Sequence, residues 1–356
     1  MRLAYDLSVL RHPPAGTARY ATELLAAMLA LSSKDQIIVG RGWPRISRGG
    51  WLRKAINLGS DLGWLTAGAA TLAARNHIDA WFSPANVLPF ALSRPLVVTI
   101  LDSNVVHARD RYDRAYATYA ALMFRSAGRR ASAVLTLSED ARRRIASDFD
   151  IPLARIVVAY PGIDHALRIS AGARPEGLPS TYALFVGQTE PHKNLERLVA
   201  AWSAGVPEGM DLVIAGPPGR AETGLLQAIA RSPARTRIHR LGRLAEDVLA
   251  RLYEDATCFV FPSLVEGFGM PPLEAMARGV PTAVSRIGVL LEVTRGAALT
   301  FDPLDPAAIA AAVSQLAEGT AERRRLQTVG PMVAREYRWE RTADTAWAVI
   351  RGTVRA

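Results

Sequence analysis

The chain has 356 residues and a formal net charge of +10, with 49% of its residues hydrophobic and 21% charged. This composition excludes a disordered or collagen-like chain, and the length predicts two domains. The single cysteine, Cys258, excludes a disulfide scaffold and a cysteine-based zinc site.

The charge is distributed unevenly along the chain. Residues 1–175 hold 23 Lys and Arg against 13 Asp and Glu, whereas residues 176–356 hold 20 of each. The first residues reach Asp6 before any apolar run, which is unlike a signal peptide. The apolar stretch 62–74 is shorter than the ~20 residues of a membrane-spanning helix. We therefore expect a cytoplasmic protein.

The N-terminal half predicts strands that alternate with helices. A strand over 3–7 precedes a helix over 17–31, and the region 41–60 is expected to be irregular. Further short apolar strands are predicted at 37–39, 80–82, 96–101, 133–137 and 156–158.

The C-terminal half shows the same alternation more clearly. Its predicted strands are apolar throughout and lie at 182–186, 212–215, 238–241, 258–261 and 281–284. The predicted helices are 195–204, 224–231, 245–255, one beginning at 272–277, and 307–317. Fully apolar strands between helices indicate a parallel sheet covered on both faces. A Pro/Gly-rich segment at 172–180 predicts a linker between two doubly wound domains.

The densest chemical signal lies at residues 262–281. A strand ends at Pro262, a glycine-rich turn contains Glu266, and Pro272 opens a helix that carries Glu274 in its first or second turn. Backbone N–H groups at such a helix start can bind an anion, and two carboxylates can accept hydrogen bonds from sugar hydroxyls. Spacing alone equally allows a solvated loop acid at Glu266 and a dipole-stabilising acid at Glu274.

Glu266 and Glu274, with seven residues between them in PSLVEGFGMPPLEAMARGVP, resemble the EX7E signature of retaining family-4 glycosyltransferases of the GT-B fold. The segments 185–196, 212–219 and 241–253 are also similar to that family, as is 338–341, which opens the last helix there. The resemblance implies an α/β fold with two Rossmann-like doubly wound domains facing across a cleft. It assigns 1–171 to the acceptor, 172–335 to the nucleotide-sugar donor, and 336–356 to a helix that returns to the N-terminal domain.

The resemblance also implies individual roles. Glu274 would bind the ribose hydroxyls, Glu266 the donor sugar, and Lys193 the diphosphate as its charge develops. Gly16 would bring a backbone N–H close to the donor. Further donor contacts are expected at Gly187, Gln188, Gly216, Gly267, Phe268 and Gly269. Without the resemblance, Lys193 would be a solvated loop lysine and Gly16 a turn glycine.

Two positions depart from the family pattern. Gln188 stands where members usually carry an arginine, and Leu101 where they carry a histidine near the reacting sugar. Asp102 follows Leu101 and is expected to orient the acceptor or donor. His107 either reaches the cleft or is a surface residue, and Arg19 is a further acceptor-side candidate. His192, beside Lys193, either assists the phosphate or has an ordinary loop role.

No metal and no other cofactor is expected, because GT-B enzymes do not depend on an Asp-x-Asp metal site. The one such match, Asp148-Phe-Asp150, lies at a predicted helix end and is interpreted as coincidence. Ser138 is interpreted as a helix N-cap, since no Gly-x-Ser-x-Gly motif surrounds it.

The expected reaction moves a hexosyl group from GDP-mannose or a UDP- or dTDP-hexose to a hydroxyl of a glycan, glycolipid or natural product. A nucleotide-sugar epimerase and a catalytically impaired partner subunit that binds nucleotide sugars are the alternatives.

The basic N-terminal half has two interpretations. Arginines alternate with aromatic residues at 43–54 and again at 109–130, where Tyr119 and Phe124 take part. Such a surface suits an anionic membrane, and equally a solvated face in an arginine-rich protein. Nucleic-acid binding is not expected, because no recognition motif accompanies the charge.

Overall fold

The computed structural model describes residues 1–11, 16–32, 34–44, 46, 50–107 and 114–355. The chain forms two compact units, one of Met1–Pro161 with Trp339–Ala356 and one of Gly162–Arg338. The predicted boundaries after residues 171 and 335 do not coincide with these breaks. Residues 162–171 belong to the second unit, where the Ile163 N–H donates to the Tyr337 carbonyl at 2.9 Å.

The first unit is built on a parallel sheet, six-stranded over the described residues, in the order β2-β1-β3-β4-β5-β6. The strands are β1 Arg2–Asp6, β2 Gln36–Gly40, β3 Ala80–Ser83, β4 Leu96–Thr99, β5 Ala133–Thr136 and β6 Ile156–Val158. Strands β3 and β4 are buried along their whole length, as their apolar sequences require. The predicted strand 96–101 ends early, because the Leu101 N–H turns away to the Asn86 side chain at 2.9 Å.

The helices of this unit lie between the strands. They are α1 Gly16–Leu31, α2 Trp51–Gly63, α3 Ala69–Asn76, α4 Asn104–His107, α5 Arg114–Arg130 and α6 Glu139–Phe149, with one wider π turn over Trp64–Gly68. Helix α2 corrects the expectation of an irregular region over 41–60. The predicted N-cap is confirmed, since Ser138 Oγ accepts the Ala141 N–H at 3.0 Å.

The second unit contains the other parallel sheet, also six-stranded where described, in the order β12-β11-β10-β7-β8-β9. Its strands are β7 Tyr182–Val186, β8 Asp211–Ala215, β9 Ile238–Gly242, β10 Cys258–Phe261, β11 Thr282–Ser285 and β12 Leu299–Phe301. Its helices are α7 Asp164–Leu167, α8 Leu195–Ser203, α9 Glu222–Arg231, α10 Glu246–Asp255, α11 Met270–Ala277, α12 Gly288–Thr294, α13 Pro306–Ala317 and α14 Ala321–Ala334. Strand β12 and helices α7, α12 and α14 were not predicted from the sequence.

The last helix, α15 (Trp339–Arg355), is part of the first unit and packs on α1. The Trp347 indole N–H donates to the Met28 carbonyl at 3.1 Å, and Arg351 pairs with Asp35 at 2.8 Å. The rings of Trp339 and Tyr20 lie 5.8 Å apart. Among the described residues, no helix combines the length and the hydropathy that crossing a membrane requires.

The strand order of each sheet indicates where a ligand binds. In the second unit β7 and β10 are neighbours, and the chain leaves β7 towards β8 and β10 towards β11, in opposite directions. Loops that diverge in this way open a crevice at the carboxyl ends of the two strands. The corresponding point of the first unit lies between β1 and β3.

Candidate active site

The loops after β7 and β8 touch through glycine backbones. Gly216 has a φ of +136°, and a Cβ at this position would lie 2.1 Å from the Gly187 carbonyl oxygen. The Gly187 N–H in turn donates to the Ala215 carbonyl at 2.9 Å. The Gln188 amide donates to the Pro218 carbonyl at 3.3 Å. This backbone contact fixes the turn that leads from β7 to Lys193.

Lys193 lies in the loop after β7 and reaches the loop after β10. Its Nζ is 2.5 Å from Glu266 Oε1 and 4.8 Å from the centre of the Phe261 ring. The two charged side chains are only 13% and 11% exposed. The alternatives of a solvated loop lysine and a solvated loop acid are therefore wrong. The ammonium and the carboxylate lie together at the carboxyl edge between β7 and β10.

Asn194 holds these two loops in place. It adopts a left-handed conformation with φ +60°, directly after the 3-10 turn over Pro191–Lys193. Its buried amide donates to the Pro262 carbonyl at 3.1 Å and to the Pro303 carbonyl at 2.7 Å. The position of Lys193 is thus set by a side chain that satisfies the carbonyls after β10 and β12.

The charge of Glu266 depends on its neighbours. Burial on its own would raise the pKa of this carboxyl, but the charges of Lys193 and His192 outweigh burial and hold the pKa below its usual range. A carboxyl whose pKa is lower in the folded state stabilises the fold at neutral pH and loses that contribution as pH falls through the folded value. Glu266 is therefore an anion at neutral pH, poised beside a cation.

Glu274 lies in the second turn of α11 and is buried. Its Oε1 lies 3.2 Å from His165 Nε2, and its Oε2 accepts a hydrogen bond from the Tyr253 hydroxyl at 3.1 Å. The carboxylate is thus oriented by α7 on one side and by α10 on the other. Contact of Glu274 with a ribose stays a prediction.

The turn after Glu266 contains one buried side chain, that of Phe268, between Gly267 and Gly269. The Phe268 ring is buried against Tyr337, with 5.6 Å between the ring centres, so its side chain belongs to the core. Gly269 has a φ of +97° and is the N-cap residue directly before α11, and a Cβ there would lie 2.7 Å from Leu290 Cδ2. The donor contacts predicted for Gly267, Phe268 and Gly269 would therefore be made by backbone groups, and they stay a prediction.

The acceptor-side candidates lie in the first unit, as does Gly16, which was predicted to approach the donor. Gly16 is the exposed first residue of α1, and Arg19 is half-buried in its first turn. Asp102 is half-buried, and its Oδ1 accepts the Asn104 N–H at 2.9 Å, which places it at the start of α4. His107 is the last residue of α4, and its side chain lies outside the described part of the chain.

Sequence reasoning missed several polar residues near these sites. His165 and Tyr253 were not singled out, although they orient Glu274. Asp6 is buried at the end of β1, where the Trp64 indole N–H lies 3.3 Å from both carboxylate oxygens. Burial raises the pKa of Asp6. The only sequence signal for Asp6 was its place at a strand's carboxyl end.

Two family models match the chain, one for each half. The model described as Glycosyltransferase Family 4 matches residues 2–167, and the one described as Glycosyl transferases group 1 matches residues 180–319. The chain belongs to the family-4 glycosyltransferases. The glycosyltransferase activity predicted from the EX7E resemblance is therefore confirmed.

Known proteins resemble this family-4 chain over its whole length. The O-antigen chain mannosyltransferase B of Escherichia coli is 27% identical over 369 residues, which cover 96% of this chain and 97% of that protein. The sucrose-phosphate synthase of Thermosynechococcus elongatus has a TM-score of 0.76 at 17% identity, with 99% and 98% of the two chains covered. HepE of Anabaena, solved with UDP and glucose, has a TM-score of 0.71 at 18% identity, with 98% and 99% covered. The structural neighbours confirm the predicted GT-B fold class.

Proposed function

We propose that the protein is a retaining glycosyltransferase that moves a mannosyl or glucosyl group from a nucleotide-diphosphate sugar to a hydroxyl of a polysaccharide or glycolipid. The observation that carries the proposal is the Lys193–Glu266 pair, 2.5 Å apart at the carboxyl edge between β7 and β10. A developing negative charge on a leaving diphosphate needs a preorganised cation, and the contact with Glu266 supports Lys193 for that role.

Two similar proteins support a nucleotide sugar as the class of donor. The whole-length relative from Escherichia coli is a mannosyltransferase of the O-antigen chain, and the Anabaena neighbour was solved with UDP and glucose. We propose GDP-mannose, or a UDP- or dTDP-hexose, as the donor, and a growing glycan as the acceptor.

The chemistry is one substitution at the anomeric carbon. The bond from that carbon to the diphosphate breaks, the bond to the acceptor oxygen forms on the same face, and the acceptor proton passes to the leaving diphosphate. Lys193 stabilises the diphosphate, and Glu266 orients the sugar hydroxyls as an acceptor of hydrogen bonds. Since Lys193 supplies the positive charge, we propose that transfer needs no metal.

The test compares Lys193→Ala and Glu266→Gln with wild type and with Glu208→Gln, a control at an exposed acid. We expect transfer to fall by at least about 100-fold in both site variants, within the range for groups that stabilise transition-state charge, while the control keeps full activity. EDTA should leave the rate unchanged, and an α-linked donor should give an α-linked product by NMR. Full turnover in both site variants would disprove the proposal, and a β-linked product would disprove retention.

A catalytically impaired subunit is the second candidate, because Leu101 is a buried apolar side chain where the family pattern has a histidine. This candidate predicts that a nucleotide sugar raises the melting temperature of the protein while no product forms with any acceptor. Product formation by wild type would exclude it.

A further inference from the structure

Helix α2 exposes its apolar residues. Leu52, Ile56 and Leu62 are 56%, 43% and 40% exposed, and Gly59 is exposed between them. Positions 52, 56, 59 and 63 follow one another along one side of a helix, because they are spaced by four, three and four residues. The solvent side of α2 is therefore an apolar stripe, with Leu62 on its flank.

Three polar residues of α2 face the protein instead. Asn57 is buried, and its side chain accepts the Ile46 N–H at 2.9 Å and donates to the Ile46 carbonyl at 3.1 Å. Ser60 donates to the Pro44 carbonyl at 2.9 Å, and Asp61 pairs with Arg11 at 2.9 Å. An ordinary surface helix buries its apolar side and exposes its polar side. The orientation of α2 is the reverse.

Trp43 extends the stripe at the end of the helix. A Cβ on Gly63 would lie 2.1 Å from Trp43 Cζ3, so the indole lies directly on the glycine that ends the 52–56–59–63 line. The Trp43 side chain is nevertheless 42% exposed. An indole at the edge of an apolar surface is the arrangement that suits the boundary between lipid tails and water.

The chain segment that contains this surface is basic in composition. Residues 41–75 include six Lys and Arg and one acid, Asp61, which is paired with Arg11. The first unit as a whole holds 24 basic and 14 acidic residues, whereas the second holds 19 of each. An apolar face within a basic segment of a basic unit matches a bilayer that carries anionic headgroups.

We infer that the α2 face, defined as Trp43, Leu52, Ile56, Gly59 and Leu62, is the surface through which this protein binds a bilayer containing anionic phospholipid. Of the two segments that the sequence suggested for a membrane surface, 43–54 and 109–130, the α2 face keeps the first and extends it to residue 62. Phe124, one of the aromatic residues counted in the second, is buried in the core of the first unit, and residues 108–113 lie outside the described part of the chain. The inference goes beyond the proposed function and does not depend on the transfer reaction.

The experiment is co-sedimentation with vesicles of phosphatidylcholine, alone or with about 30% phosphatidylglycerol, at ~0.15 M salt. We expect wild type to bind the anionic vesicles and Leu52→Ser/Ile56→Ser to bind them at least tenfold more weakly. The control is Leu226→Ser/Leu304→Ser, which changes two leucines of the second unit that are 49% and 60% exposed. This control should bind like wild type, and equal melting temperatures would show that all three proteins are folded.

Position on the membrane is read out separately. Brominated lipid should quench a part of the tryptophan fluorescence that is missing in Trp43→Phe. Equal binding by the Leu52→Ser/Ile56→Ser variant, no binding of wild type to anionic vesicles, or equal binding of wild type to both vesicle types would each overturn the proposal. A wild-type dimer in sedimentation equilibrium that Leu52→Ser/Ile56→Ser dissociates would assign the face to a second copy of the chain and would overturn it as well.

Discussion

Glu274 illustrates how buried neighbours can fix the orientation of a carboxylate. A glutamate has two oxygens and a freely rotating end, and both oxygens of Glu274 already have partners, His165 and the Tyr253 hydroxyl. Each oxygen keeps acceptor capacity for a further donor. These partners therefore fix the direction in which Glu274 can accept a hydrogen bond from a ligand.

The substitution Tyr253→Phe tests this orientation. It removes the hydroxyl that donates to Glu274 and keeps the ring, whose centre lies 5.7 Å from that of Phe259. A hydrogen bond to a charged group is worth about 1.5–3 kcal/mol, which is an upper limit on the loss of affinity, so we expect GDP or UDP to bind more weakly by up to about a hundredfold. The 2′,3′-dideoxy nucleotide should bind wild type and variant alike in calorimetry, because it lacks the hydroxyls that Glu274 would contact. An equal loss for both nucleotides would mean that Tyr253 acts only on the fold.

At the scale of elements, the sequence predicted the strands correctly, because each strand is marked by its own apolar run. All the predicted strands exist, and Lys193 and Glu266 do meet, because the motif placed each at the carboxyl end of a central strand. Helix α2 was missed although its apolar residues repeat along one side, as they do in other amphipathic helices. His165 lies 109 residues from Glu274, and no local pattern records such a contact.

Gly216 shows the strongest local constraint on an element of the site. In Gly216→Ala the new Cβ would lie 2.1 Å from the Gly187 carbonyl oxygen, in a backbone with φ of +136°. We expect a loss of about 3 kcal/mol or more, and a melting temperature lower by roughly 5–10 °C. Gly205→Ala is the matched control, since Gly205 has a φ of +131° and nothing within 4 Å of the added Cβ. If both variants melt alike, the backbone angle alone decides the cost and the contact with Gly187 is not tight.

At the scale of the whole molecule, chain order and unit membership differ. The last helix, α15, follows the entire second unit in sequence but belongs to the first, so the first unit is complete only once the C-terminus has been added. Trp347 is the centre of this attachment, since it is fully buried, donates to the Met28 carbonyl, and is covered by Arg351 at 4.9 Å from the ring centre.

Trp347→Ala should therefore destabilise one unit and spare the other. Truncating a buried tryptophan costs about 3–5 kcal/mol. We expect amide hydrogens of residues 1–161 to exchange faster, while those of 162–338 exchange as in wild type, measured by mass spectrometry of peptides from both units. Asp344→Ala, at an exposed position of the same helix, should leave both units unchanged. Faster exchange throughout 162–338 in Trp347→Ala would show instead that the two units unfold as one cooperative body, and that α15 stabilises the entire chain.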